Sequence, residues 1–102
     1  MNNDTHPSKI PVDKTFDIKD ELEAEKIANE MVEKGFDVAY KILMPKERKI
    51  VKRIGYAVTT SVNYGLRKSG KNRDVRYWTY HEDENHYAIV FASSTLAEKF
   101  GL

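Results

Sequence analysis

One hundred and two residues suffice for one hydrophobic core and not for two, and 40% apolar with 11% aromatic residues is a globular rather than a disordered balance. The chain has no cysteine, which excludes disulfides, thiolate metal sites and a cysteine nucleophile, and no apolar run approaches the roughly 20 residues of a membrane span. The formal net charge of +1 conceals a segregation: residues 1–34 carry nine acids and five bases, residues 35–80 eleven bases and three acids, and residues 81–102 four acids and one base, giving −4, +8 and −3.

Residues 1–12 are polar and interrupted by Pro7 and Pro11, which predicts a flexible leader before a single domain at 13–102. The leader lacks the basic and apolar regions of a signal peptide, so a cytoplasmic protein without membrane association is expected. Thr15–Ile18 has β-branched or aromatic residues at alternate places and reads as an edge strand. A helix then begins at Asp20, which with Glu23 forms a capping-box pattern. Ala24, Ile27, Ala28 and Met31 fall at the spacing of a buried helical face, and Gly35 supplies the stop.

Phe36–Met44 alternates apolar and polar residues up to Pro45 and predicts a second strand. The stretch 46–69 fits two periods. As a helix it gathers Ile50, Ile54, Ala57, Val58, Ser61, Val62 and Gly65 on one arc, and Arg48, Lys49, Lys52, Arg53, Tyr56, Thr59, Asn63 and Arg67 on the other. The helix is preferred, because a strand of more than twenty residues is improbable. A basic loop, Lys68–Arg73, leads into Asp74–Tyr80 and Tyr87–Ala92, two β-rich runs that form a hairpin around 81–86. Ser93 or Ser94 caps a final short helix, Thr95–Phe100. The resulting order, β-α-β-α-β-β-α, predicts an α+β two-layer sandwich. It has a four-stranded mixed sheet, both longer helices on one face, and a far face open to solvent.

Parity decides what the hairpin offers. An even-numbered loop puts Arg76, Trp78, Tyr80, Tyr87, Ile89 and Phe91 on one face and Val75, Tyr77, Thr79, Ala88, Val90 and Ala92 on the other. With the smaller face under the helices, Trp78, Tyr80, Tyr87 and Phe91 form an exposed platform for stacking unpaired bases. With the faces reversed, the rings are the core. Lys49, Lys52, Arg53, Arg67, Lys68, Lys71, Arg73 and Arg76 form the phosphate-holding stripe, with Tyr56, Trp78 and Tyr80 stacking bases.

These features lead to a small non-enzymatic nucleic-acid-binding domain that favours RNA or single strands. The order β-α-β-α-β-β occurs in small RNA- and DNA-binding domains, although fold order does not settle function. The alternative is a protein-interaction module of the kind phages and mobile elements use as regulators or inhibitors. Glu25, Glu30 and Glu33 on its acidic helix would dock on a basic partner. Acidic and basic helices also suit pairing within the fold or between two copies, so a homodimer is compatible with the sequence. No cofactor and no metal site is expected: His81 and His86 flank Glu82–Glu84, but solvated hairpin tips carry the same residues. Nuclease or phosphotransfer chemistry by His81 or His86 with Lys71 or Arg73 lacks a second group fixed by spacing. Ser93-Ser94 has no elbow glycines, and Lys68–Lys71 fails the phosphate-loop spacing.

Overall fold

The computed structural model describes residues 6–46 and 50–102. Three helices of at least six residues and four strands follow in the order β1 (Val12–Asp17), α1 (Glu21–Lys34), β2 (Ala39–Pro45), α2 (Val51–Lys68), β3 (Val75–His81), β4 (His86–Ser93) and α3 (Ser94–Lys99), with a 3₁₀ turn at Pro7–Lys9. This is the expected α+β order. The sheet runs β1-β2-β4-β3, with β1 parallel to β2 and β4 antiparallel to both its neighbours. β4 is thus central, and Ala88 through Ser93 are buried on both faces, which is why that strand reads as a continuous apolar run.

Local signals fix most element ends. The Asp20 carboxylate accepts from the Glu23 N–H, satisfying a free donor of α1, and the Glu23 carboxylate accepts from the N–H of Lys19, just before the cap. Gly35, at φ 76°, ends the helix in a conformation that a Cβ disfavours. α2 ends in a Schellman motif: the Lys71 N–H donates to the Leu66 carbonyl and the Gly70 N–H to the Arg67 carbonyl. The Ser93 hydroxyl accepts from the Leu96 N–H and caps α3. β1 starts three residues before the expected Thr15. β2 starts three residues after the expected Phe36, whose ring meets Tyr40 edge-on at 5.0 Å. Of the helix expected over 46–69, α2 covers Val51–Lys68, and residues 47–49 lie outside the described residues.

Both long helices pack on one face of the sheet. Ile54, Val58, Val62 and Leu66 repeat every fourth residue along α2 and enter the main core with Ala24, Ile27, Ala28 and Met31 of α1. Beneath them lie Tyr40, Ile42 and Met44 of β2, Val75 of β3, and Ile89 and Phe91 of β4. Ala57 and Ser61, expected on the buried arc, stay exposed at its margin.

The far face, expected to be open, is partly roofed. Ile10, Leu96, Phe100 and Leu102 pack with Val12, Ala39, Trp78, Tyr80, Val90 and Ala92. The segment from Pro7 to Val12 thus crosses from β3, against which the 3₁₀ turn packs, to β1.

α2 is bound to the edge strand β3 at two points. The Asn63 side chain donates to the Val75 carbonyl at 3.0 Å and accepts from the Val75 N–H at 2.8 Å, acting as one rung of a missing strand. Asn63 is therefore not part of an outward polar arc, as the helical wheel implied. Two turns earlier, Gly55 receives the Tyr77 ring. A Cβ at Gly55 would stand 2.5 Å from a Tyr77 ring carbon. Gly55→Ala gains roughly 1 kcal/mol of helix propensity and loses about 1–3 kcal/mol to overpacking against that rigid ring. The expected net result is destabilisation in urea titrations. With Tyr77→Ala already present the sign should reverse, making Gly55→Ala stabilising.

Candidate functional site

The candidate residues occupy three separate regions. On the solvent side of α2 stand Lys52, Arg53, Tyr56, Arg67 and Lys68, all exposed. Lys71 and Arg73 line a polar cleft of about 640 Å³ at one end of the sheet. Arg76, Trp78 and Tyr80 lie on the far sheet face. Lys49, proposed with them, falls outside the described residues.

The separation follows from hairpin register. His81 stands opposite Tyr87 and Tyr77 opposite Phe91, so an odd number of residues, 82–86, separates the last opposed pair. The parity is odd, not even, for a local reason. The N–H groups of Glu82 and Asp83 both donate to the His86 carbonyl, and the Asp83 carboxylate accepts from the Asn85 N–H at 2.7 Å and contacts His86 Nδ1 at 3.1 Å. The Asn85 and His86 hydrogen bonds hold the Asp83 carboxyl below its usual range. Directly opposed residues share a face. Val75, Tyr77, Thr79, His81, Tyr87, Ile89 and Phe91 therefore face the helices, and Arg76, Trp78, Tyr80, Ala88, Val90 and Ala92 face away. The aromatic platform that an even-numbered loop would allow does not form. Phe91 and Ile89 are core, while Trp78 and Tyr80 are half-buried beside Ile10 and Phe100.

On the far face, the Lys41 ammonium lies 5.7 Å from the Tyr80 ring centre and 3.4 Å from Glu82, and His6 meets Tyr80 edge-on at 5.0 Å. The Tyr80 hydroxyl is buried and lacks a well-formed hydrogen bond. Burial raises the Tyr80 pKa, with the Lys41 ammonium opposing it. Burial also works against the charged form of Lys41, but Tyr80 and Glu82 outweigh it and leave the Lys41 pKa raised. Arg76 spreads over Trp78, 5.5 Å from the ring centre.

At the sheet end, the Arg73 guanidinium donates to Asp37 at 2.6 Å. Lys71 folds its ammonium against Gly35, at the negative end of α1. Arg73 thus has an acidic partner in the fold, while Lys71 is exposed at the cleft.

The α2 surface is different. The helix of 18 residues contains no acid. Lys52 and Arg53 stand in its first turn, at the positive end of the dipole, and Arg67 and Lys68 in its last. The two basic ends are about 22 Å apart at 1.5 Å per residue. Between them Tyr56 is 67% and Tyr64 58% exposed, and the Lys68 ammonium lies 5.6 Å from the Tyr64 ring centre. Tyr64 was not among the expected site residues. Its spacing, eight residues after Tyr56 and four before Lys68, is the signal that marks it. Arg53 pairs with Glu21 of α1. The acids proposed for a protein partner are also divided: Glu30 pairs with Lys14 at 2.6 Å, while Glu25 and Glu33 border shallow grooves between the helices. His81 packs against Tyr87, and no group of three or more His, Asp or Glu among the described residues is arranged to hold a metal ion.

No family model matches this chain, and neither does any curated protein or solved structure. No helix among the described residues is long and apolar enough to cross a membrane.

The far-face groups and buried Tyr40, whose pKa is raised by burial and by Asp13 and Asp37, set a pH limit. The ordinary values are 10.0 for Tyr and 10.5 for Lys. Above them the unfolded chain releases protons that the folded chain retains, so stability declines as pH rises. Urea midpoints measured from about pH 9 to 11 should fall. Tyr80→Phe should make the decline shallower, and an unchanged slope would disprove its contribution.

Proposed function

We propose that this chain is a non-enzymatic nucleic-acid-binding domain that prefers RNA or single strands, and that the solvent face of α2 is its working surface. The observation that carries this reading is an acid-free helix with cations at both ends and two exposed tyrosines between them. Cations at each end attract phosphates by charge and counterion release. Exposed rings stack unpaired bases at about 1–3 kcal/mol each, without demanding a particular base. The contact set is Lys52, Arg53, Tyr56, Tyr64, Arg67 and Lys68. Lys71, Arg73, Trp78 and Tyr80 are left out because they lie away from this face, the first two at the sheet end and the other two half-buried on the far side of the sheet.

Fluorescence anisotropy with a labelled single-stranded RNA and a duplex DNA, at about 50 and 200 mM salt, tests the reading. Binding should be tighter for the single strand and fall steeply with salt. Arg67→Glu with Lys68→Glu should weaken it at least tenfold for all sequences alike, and Tyr56→Ala with Tyr64→Ala should weaken it without changing the salt slope. Trp78 emission should stay unquenched. Absence of binding at the lower salt would sink the proposal.

A second reading, a protein-interaction module, rests on Leu22. It is 74% exposed beside a groove between α1 and α2 lined by Ala57, Ser61 and Glu25. On this reading Leu22→Asp with Glu25→Lys abolishes partner capture and leaves nucleic-acid affinity unchanged.

A further inference from the structure

β3 forms one border of the sheet, with no strand beyond it among the described residues, and α2 hydrogen-bonds its outer edge at Val75. Along the strand, backbone groups turn alternately toward β4 and outward. Asn63 marks the outward set by satisfying both groups of Val75. The outward N–H and C=O groups of Tyr77, Thr79 and His81 have no strand beyond them. The opposite border is guarded: β1 has a register irregularity between Val12 and Lys14 and exposes Asp13, Lys14 and Asp17. β3 pairs regularly over seven residues and contains no Pro, Gly, Lys or acid. An unguarded edge of this kind is a template for strand addition.

We propose that this edge pairs with a second copy of itself, antiparallel, about a two-fold axis through Thr79. That register sets Tyr77 opposite His81 and Thr79 opposite its own copy, so every outward group from Tyr77 to His81 gains a partner. On the far face it also sets Arg76 opposite Glu82 and Trp78 opposite Tyr80, twice each. Arg76 has no acidic partner among the described residues, and Glu82 has only the long contact to Lys41 at 3.4 Å. A two-fold axis through Trp78 would instead oppose His81 to Val75, whose backbone Asn63 already holds, and one through Tyr80 would set Trp78 against Glu82. Charge complementarity and hydrogen bonding thus select the same register. The pairing is independent of the nucleic-acid reading.

Sedimentation equilibrium of the full chain over about 1–100 µM should reveal a monomer–dimer equilibrium. Thr79→Pro removes an outward N–H without costing a bond to β4, so circular dichroism should be preserved while association weakens at least tenfold. Arg76→Glu should weaken association as well, and Arg76→Glu with Glu82→Arg should restore it. This pair keeps the test decisive even where the proline disturbs the fold. A chain that stays monomeric throughout, or a dimer indifferent to the Arg76 and Glu82 exchanges, would overturn the proposal.

Discussion

The register in which His81 meets Tyr87 determines what each face of the sheet carries. It is held by a turn that absorbs one extra residue, with two N–H groups on the His86 carbonyl and the Asp83 side chain bracing the return. Side chains alternate, so a slip of one residue would move every ring of β3 to the other face. Trp78 and Tyr80 would then press on α2, and Tyr77 would leave the hollow that Gly55 provides. The contact of α2 with β3, the division of aromatic residues between core and far face, and the alignment of the outer backbone edge all depend on this parity.

Charge plays little part in holding the molecule together. The ion pairs Lys14–Glu30, Arg53–Glu21 and Arg73–Asp37 are substantially exposed, and such pairs are worth about 0–1 kcal/mol. Apolar burial carries the stability, through Ile54, Val58, Val62 and Leu66 against the β2 and β4 rows. Among the described residues, one ion pair, Arg53–Glu21, joins the acidic helix to the basic one. The two helices therefore keep most of their opposite charge facing solvent.

The elements with chemical punctuation were readable in the sequence. α1 has Asp20, Glu23 and Gly35 at its ends and a regular apolar row between, and its boundaries match. The layer order followed from element order, since helices between parallel strands must cover the sheet. The hairpin parity was not legible, because it depends on which atoms Asp83 and His86 bond, not on any periodicity. The same holds for Asn63: a wheel marks it as a polar surface residue, yet its amide faces the backbone of Val75. The basic residues from Lys49 to Arg76 looked like one stripe because they are close in the chain. Folding sends Arg73 to Asp37 and Arg76 across the sheet, leaving α2 with the part of the stripe that stays together.

The irregular start of β1 has a consequence for assembly size. Repeated edge-to-edge addition requires two receptive borders on each molecule, as in a filament. Here one border is smooth, while the other is kinked at Val12–Lys14 and carries alternating charges. Once two smooth borders have met, only kinked ones remain exposed, and growth stops. A domain with one guarded border is limited to a closed pair and cannot propagate into an open polymer.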